Sequence, residues 1–180
     1  MSEFLTLHRT AGFTGSRMLP RPDVVRCANI AEVSMNFGLK ILVGDAPGCD
    51  ITVRRAAPLA IVFRHDPNLP KRAALAYRSI QMVDTLARST APILIAYPDR
   101  PCPEALRPSR RPGECFNGSG SGTWATVCYA LGQGIPVVAW PGFYKTPAPT
   151  WSTPEHIKRG SLAGFYRLFV PQPQLLTVAY

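Results

Sequence analysis

Acidic residues are scarce in this chain: 11 Asp and Glu stand against 20 Lys and Arg, leaving +9 over 180 residues. No apolar run approaches the roughly 20 residues that cross a bilayer, so a membrane helix is excluded. The opening stretch MSEFLTLHRTAGF has no basic segment leading into a long apolar one. No signal peptide is read there, and the expected location is cytoplasmic. Only three histidines occur, His8, His65 and His156. They are scattered and none lies in a glycine turn, which speaks against a Ser-His-Asp triad. The five cysteines are odd in number and form no CxxC pair, which suits a reducing compartment better than a disulfide framework. Cys102 and Cys115 flank one loop and are the one pairing left open. No His, Cys or Asp group has zinc spacing, so neither a metal nor another cofactor is expected.

A 46% hydrophobic fraction rules out a disordered chain, and the length suits one well-buried core. Sixteen of the 20 basic residues are arginine. A GC-rich genome gives the same bias. The planar guanidinium fork nevertheless fits phosphate better than an ammonium does, so polyanions or phosphorylated ligands are the expected partners.

Short apolar runs alternate with helical patterns. Strands are expected at 10–14, 41–43, 59–63, 92–97 and 135–140. Helices are expected from Pro22 to Gly38, from Asp50 to before Pro58, over 71–88 and over 122–131. Such alternation means βαβ units and hence a parallel sheet covered on both faces. The fold class is therefore α/β: a Rossmann-like doubly wound parallel sheet of about five strands with helices on both faces. This domain spans residues 1–140. Residues 141–180 form a proline-rich C-terminal extension packing on it, in which 162–170 and 175–180 are read as edge strands or packing arms. The proline-rich segment 98–117, bearing Arg107, Arg110 and Arg111, is expected to lack secondary structure and to be functional or disordered.

Three glycine-bearing turns follow strands: Gly15-Ser16-Arg17, GDAPGCD (44–50) and GSGSGTW (118–124). In a parallel sheet they converge on the carboxyl-terminal edge, where open α/β sheets take ligands. Glycine bares the unpaired amides of a helix start, so Gly118, Ser119, Gly120, Ser121, Gly122 and Thr123 read as a phosphate-binding turn. Trp124, just beyond, suits either the core or a stacked base. Asp50 suits a helix cap as well as a ligand wall, and Arg78 suits a surface ion pair as well as a site.

FTGSR (13–17), LVGDAPGCD (42–50), AALAYRSIQMVD (73–84) and GSGTW (120–124) before PVV (136–138) resemble, in that order, the SLOG superfamily. The closest resemblance is to its YspA-like domains, which are related to Lonely Guy phosphoribohydrolases and DNA-processing protein A. The likeness covers roughly residues 10–140. It implies a nucleotide or phosphoribosyl-containing small molecule, with Gly15, Ser16 and Arg17 facing one end. Gly44, Asp45, Gly48 and Asp50 form a second wall, and Gly120, Gly122 and Thr123 hold the phosphate. It also implies a catalytic Arg78, in register with Met82. The Lonely Guy pattern further places a glutamate three residues after the turn threonine, where this chain has Thr126. N-glycosidic hydrolysis would therefore need another carboxylate, Asp50, Asp45 or Glu114. The second class is single-stranded nucleic-acid binding in the manner of DNA-processing protein A. It is favoured by the charge and disfavoured because aromatics are not interleaved with the arginines. Oligomeric state is left open, a homo-oligomer included.

Overall fold

Five strands run parallel in a computed structural model that describes residues 4–170: β1 (Thr10–Gly15), β2 (Lys40–Val43), β3 (Ile61–Val62), β4 (Pro92–Tyr97) and β5 (Val137–Ala139). They lie in the order β3-β2-β1-β4-β5. Helices α1 (Arg21–Asn36) and α2 (Cys49–Ala56) join the first three strands. Helices α3 (Lys71–Ala87) and α5 (Gly122–Gly132) follow β3 and precede β5, and the single turn α4 (Pro112–Cys115) lies in the loop after β4.

Strand β4 shows why the sheet is covered twice. Its residues Ile93, Ile95 and Tyr97 pack with Ile30 and Val53 of α1 and α2. The alternate residues Leu94 and Ala96 pack with Leu86 and Val127 of α3 and α5. A strand buried on both faces must be apolar at every position, which PILIAY satisfies. Ile93, Leu94 and Ile95 are each fully buried and contribute about 1.5–3 kcal/mol apiece. Helix α5 is buried at every residue from Thr123 to Leu131, which explains a helix that is apolar nearly all round.

Strand order reverses between β1 and β4, so their carboxyl ends diverge into a crevice, the place where such sheets bind ligands. The fold is the expected Rossmann-like α/β arrangement.

The C-terminal segment does more than pack against it. Strand β7 (Tyr166–Leu168) pairs antiparallel with β5, and β6 (Glu155–His156) pairs antiparallel with β7, making seven strands. Of the two readings for 162–170, the strand is the one observed, yet it lies inside the sheet between β5 and β6. Residues 175–180 lie outside those described. The segment 98–117 is ordered: Leu106 and Cys115 are buried, and the Ser109 carbonyl sits where a Cβ on Gly132 would fall. The expectation of no secondary structure there is corrected by α4. All five cysteines are free, so the Cys102–Cys115 pair does not form. Among the described residues no helix is long and apolar enough to cross a membrane.

Candidate functional site

A cavity of 710 Å³ opens at the crevice between β1 and β4. Its walls come from the turn after β1, the turn after β2, the start of α3, the turn after β4 and the start of α5. Among the expected site residues it gathers Gly15, Ser16, Arg17, Asp50, Arg78 and the whole turn from Gly118 to Thr123.

The turn before α5 is open. Gly118 and Gly120 hold φ of +94° and +98°, a region favouring glycine, and a Cβ at Gly120 or Gly122 would meet nothing within 4 Å. Ser121 caps α5, its hydroxyl accepting from the Trp124 amide at 3.3 Å. Asn117 Oδ1 takes the Ser119 amide at 3.0 Å. The amides of Gly120, Gly122 and Thr123 are then left at a helix start with no carbonyl of their own to meet. Arg72 stands beside them, its guanidinium donating to the Gly118 carbonyl at 2.6 Å.

Trp124 is where the structure departs from a stacking role. The ring is fully buried and its Nε1–H donates to the Arg100 carbonyl at 2.7 Å. It does not line the cavity. Instead it fastens the turn after β4 to the start of α5.

The opposite wall carries charge in a tight cluster. Arg78 Nη1 lies 2.9 Å from Asp45 Oδ1 and 3.3 Å from Asp50 Oδ2. Asp45 Oδ2 in turn meets His65 Nδ1 at 2.6 Å and the His65 amide at 3.0 Å. Burial pushes the Asp45 carboxyl up, but hydrogen bonds from Arg78 and His65 outweigh this and hold it at about 2. Asp50 goes the other way: burial raises its pKa, with Arg78 and the Ala46 amide opposing only in part. Asp50 does not cap α2. Gly48, at φ +74°, holds the cap position, and the Asp50 carboxylate reaches back to the Ala46 amide at 3.1 Å.

Close packing makes the two glycine turns one body. A Cβ on Gly48 would fall on the Ser16 carbonyl, and one on Gly15 would lie 2.7 Å from Cys49 Cβ. The Cys49 amide donates to the Ser16 carbonyl at 3.0 Å. Ser16 Oγ donates to Asp99 Oδ2 at 2.7 Å and accepts from the Met18 amide at 3.0 Å. Burial raises the Asp99 carboxyl, and the bonds from Arg100 and Ser16 bring it below its ordinary value.

Gly44, Asp45 and Gly48 support the Asp50 wall from behind rather than lining the cavity. Glu114 is exposed and pairs with Ser109 and Arg111, away from Asp50. Thr126 lines the cavity with its hydroxyl turned back onto the Gly122 carbonyl at 2.8 Å. Sequence reading missed Asp99, Arg100, Lys71, Arg72 and His65. The first two directly follow a strand that ends at the crevice, a usable signal. His65 joins the cluster only through folding, 20 residues from Asp45. Among the described residues no His, Cys, Asp or Glu group is placed to hold a metal ion.

These features define a Rossmann-like α/β protein with a cation-lined, glycine-walled cleft at its topological switch point. Comparison with protein-family models, with curated proteins and with solved structures found no match to the chain.

Proposed function

We propose that this cleft binds a nucleotide or another phosphoribosyl-containing small molecule, in the manner of a SLOG-type domain. The observation that carries the reading is the open glycine turn at the start of α5, with Arg72 held against it, on the wall of a cavity of 710 Å³. Helix-start amides and a guanidinium are complementary to phosphate, and the volume falls within the range of small-molecule sites. Arg17, Lys71 and Arg100 add positive charge along the same walls.

Binding is the function favoured, ahead of hydrolysis. Splitting an N-glycosidic bond asks for a carboxylate near the sugar carbon. Position 126 offers only a hydroxyl already bonded to its own helix, and the two carboxylates that line the cavity, Asp50 and Asp99, are already engaged, by Arg78 and the Ala46 amide and by Ser16 and Arg100. Little or no release of free base from nucleoside monophosphates is expected.

Nucleic-acid binding is the weaker reading. Arg107 turns onto the Glu104 and Leu106 carbonyls, and Arg111 pairs with Glu114 at 3.2 Å. Two of the three loop arginines thus have partners within their own segment.

The test is mass spectrometry of small molecules carried through purification, followed by calorimetric titration with the ribonucleoside 5′-monophosphates. A purified protein that retains no phosphorylated ligand and binds none of them would end this reading.

A further inference from the structure

The cavity has two chemically opposed ends. At the α5 end the protein offers donors: the amides of Gly120, Gly122 and Thr123 and the Arg72 guanidinium. At the β2 end Asp50 offers an acceptor into the same space. Arg78, the cation nearest that acceptor, is held between Asp45 and Asp50 at 2.9 and 3.3 Å. With all three ionised the trio carries one net negative charge. Arg78 is thus already engaged by both carboxylates, and what this end offers a ligand is an acceptor, suited to a neutral group that brings donors.

The arrangement is specific in its geometry. Both contacts on Asp50, from the Ala46 amide at 3.1 Å and from Arg78, fall on Oδ2. A carboxylate has two oxygens and about four acceptor sites, so Oδ1 keeps its capacity for whatever fills the cavity. Gly44 makes the pairing fit: a Cβ there would overlap Asp50 Oδ2 and lie 2.7 Å from Arg78 Cζ. Arg78 thus acts as a positioning residue that fixes which Asp50 oxygen faces the ligand.

We infer that Asp50 accepts hydrogen bonds from the vicinal 2′- and 3′-hydroxyls of a ribosyl phosphate whose phosphate lies at the α5 turn. The site accordingly selects ribose over deoxyribose. The inference rests on the nucleotide-binding reading and adds to it the residue that reads the sugar hydroxyls. Vicinal hydroxyls supply two neutral donors on adjacent carbons, and the two lone pairs of Oδ1 can accept from both. A hydrogen bond to a charged acceptor changes affinity on the order of tenfold to a hundredfold.

The experiment titrates the full chain with the four ribonucleoside 5′-monophosphates, their 2′-deoxy and 3′-deoxy counterparts, and inorganic phosphate, and repeats this with Asp50→Asn. The wild-type protein is expected to bind the best ribonucleotide at least about tenfold tighter than either deoxy form. Asp50→Asn should lose that preference and keep its affinity for inorganic phosphate. Equal binding of ribo and deoxy forms by the wild type overturns the inference and leaves nucleotide binding standing. So does a preference that survives in Asp50→Asn. No binding of any nucleotide removes both. Should Asp50→Asn fail to fold, Asp50→Glu takes its place: the longer carboxylate displaces the acceptor oxygen, and an unchanged preference again overturns the inference.

Discussion

Arg78→Met keeps much of the length of the side chain and removes its charge, leaving two carboxylates facing each other. The side chains involved are 12%, 10% and 6% exposed for Arg78, Asp45 and Asp50, so water screens them little. Removing one partner of a buried ion pair costs roughly 3–5 kcal/mol, because the remaining charge stays buried without compensation. The cluster borders a cavity that water can enter, which places the cost near the lower end, about 3 kcal/mol. For a chain of this size that corresponds to a Tm roughly 6–12 °C lower. With a urea slope of about 2 kcal/mol/M, the midpoint falls by about 1.5 M. The loss should depend on pH. Without Arg78 the carboxylates bind protons more readily in the folded state, so the deficit shrinks as pH falls from 7.5 toward 4.5. Urea unfolding followed by tryptophan fluorescence at both values reads this directly. A second substitution, Asp50→Asn on the Arg78→Met background, should restore part of the loss, since it removes one of the stranded charges. A deficit below about 1 kcal/mol, or one that is the same at both pH values, would refute the claim that this cluster is a buried, mutually compensated unit.

The Asp45 carboxyl supplies a second expectation. Its folded value of about 2 lies below the ordinary 3.8, so its contribution is complete above pH 4 and is lost as pH falls through 2. Acid titration of stability should show about 2 kcal/mol disappearing across that window, and Asp45→Asn should flatten it. Asp23 is buried and accepts from Trp140 Nε1 at 2.9 Å and from the Phe143 amide at 3.0 and 3.1 Å. Asp23→Ala strands both donors and should cost about 2–4 kcal/mol in thermal unfolding, whereas a loss under 1 kcal/mol would mean that water replaces the carboxylate freely. Binding to single-stranded DNA should be weak and should vanish by a few hundred millimolar salt in a fluorescence-anisotropy titration. Tight binding that survives such salt would reverse the ranking of the two functional classes.

Those parts of the fold that depend on period were legible in the sequence. PILIAY reads as a buried strand from its length and its apolar character at every position, and the glycine turns fall at strand ends because a parallel sheet puts every βα turn on one edge. Helix α5 was legible for the same local reason, with Gly122 opening it as expected. What escaped was decided by contacts between distant segments. Tyr166–Leu168 lies in a stretch read as either an edge strand or a packing arm, and its place beside β5, inside the sheet, is set by the open edge it finds there. The short β3 was read as five residues and pairs over two, since only Leu42 and Val43 offer it partners. Trp124 follows the turn immediately, which favoured a ligand contact as much as the core. The Arg100 carbonyl, 24 residues away, decided for the core. Arg78 and Asp50 were both expected at the crevice, and both line the cavity there. Their pairing with each other was not expected, because it requires Gly44 to leave room, and a missing Cβ has no signature until the helix is docked.

The antiparallel return of β7 also governs the order in which the molecule can be made. Val137, Val138 and Ala139 find Leu168, Arg167 and Tyr166 only after roughly 30 more residues have been synthesised, which at about 5–20 residues per second takes roughly 2–6 s. Through that interval the chain already holds every parallel strand, yet its valine-rich flank has unpaired amides and carbonyls able to recruit a neighbouring strand. Pairing with β7 covers that flank, so in the folded molecule β5 is an interior strand and not an edge that a second chain can extend.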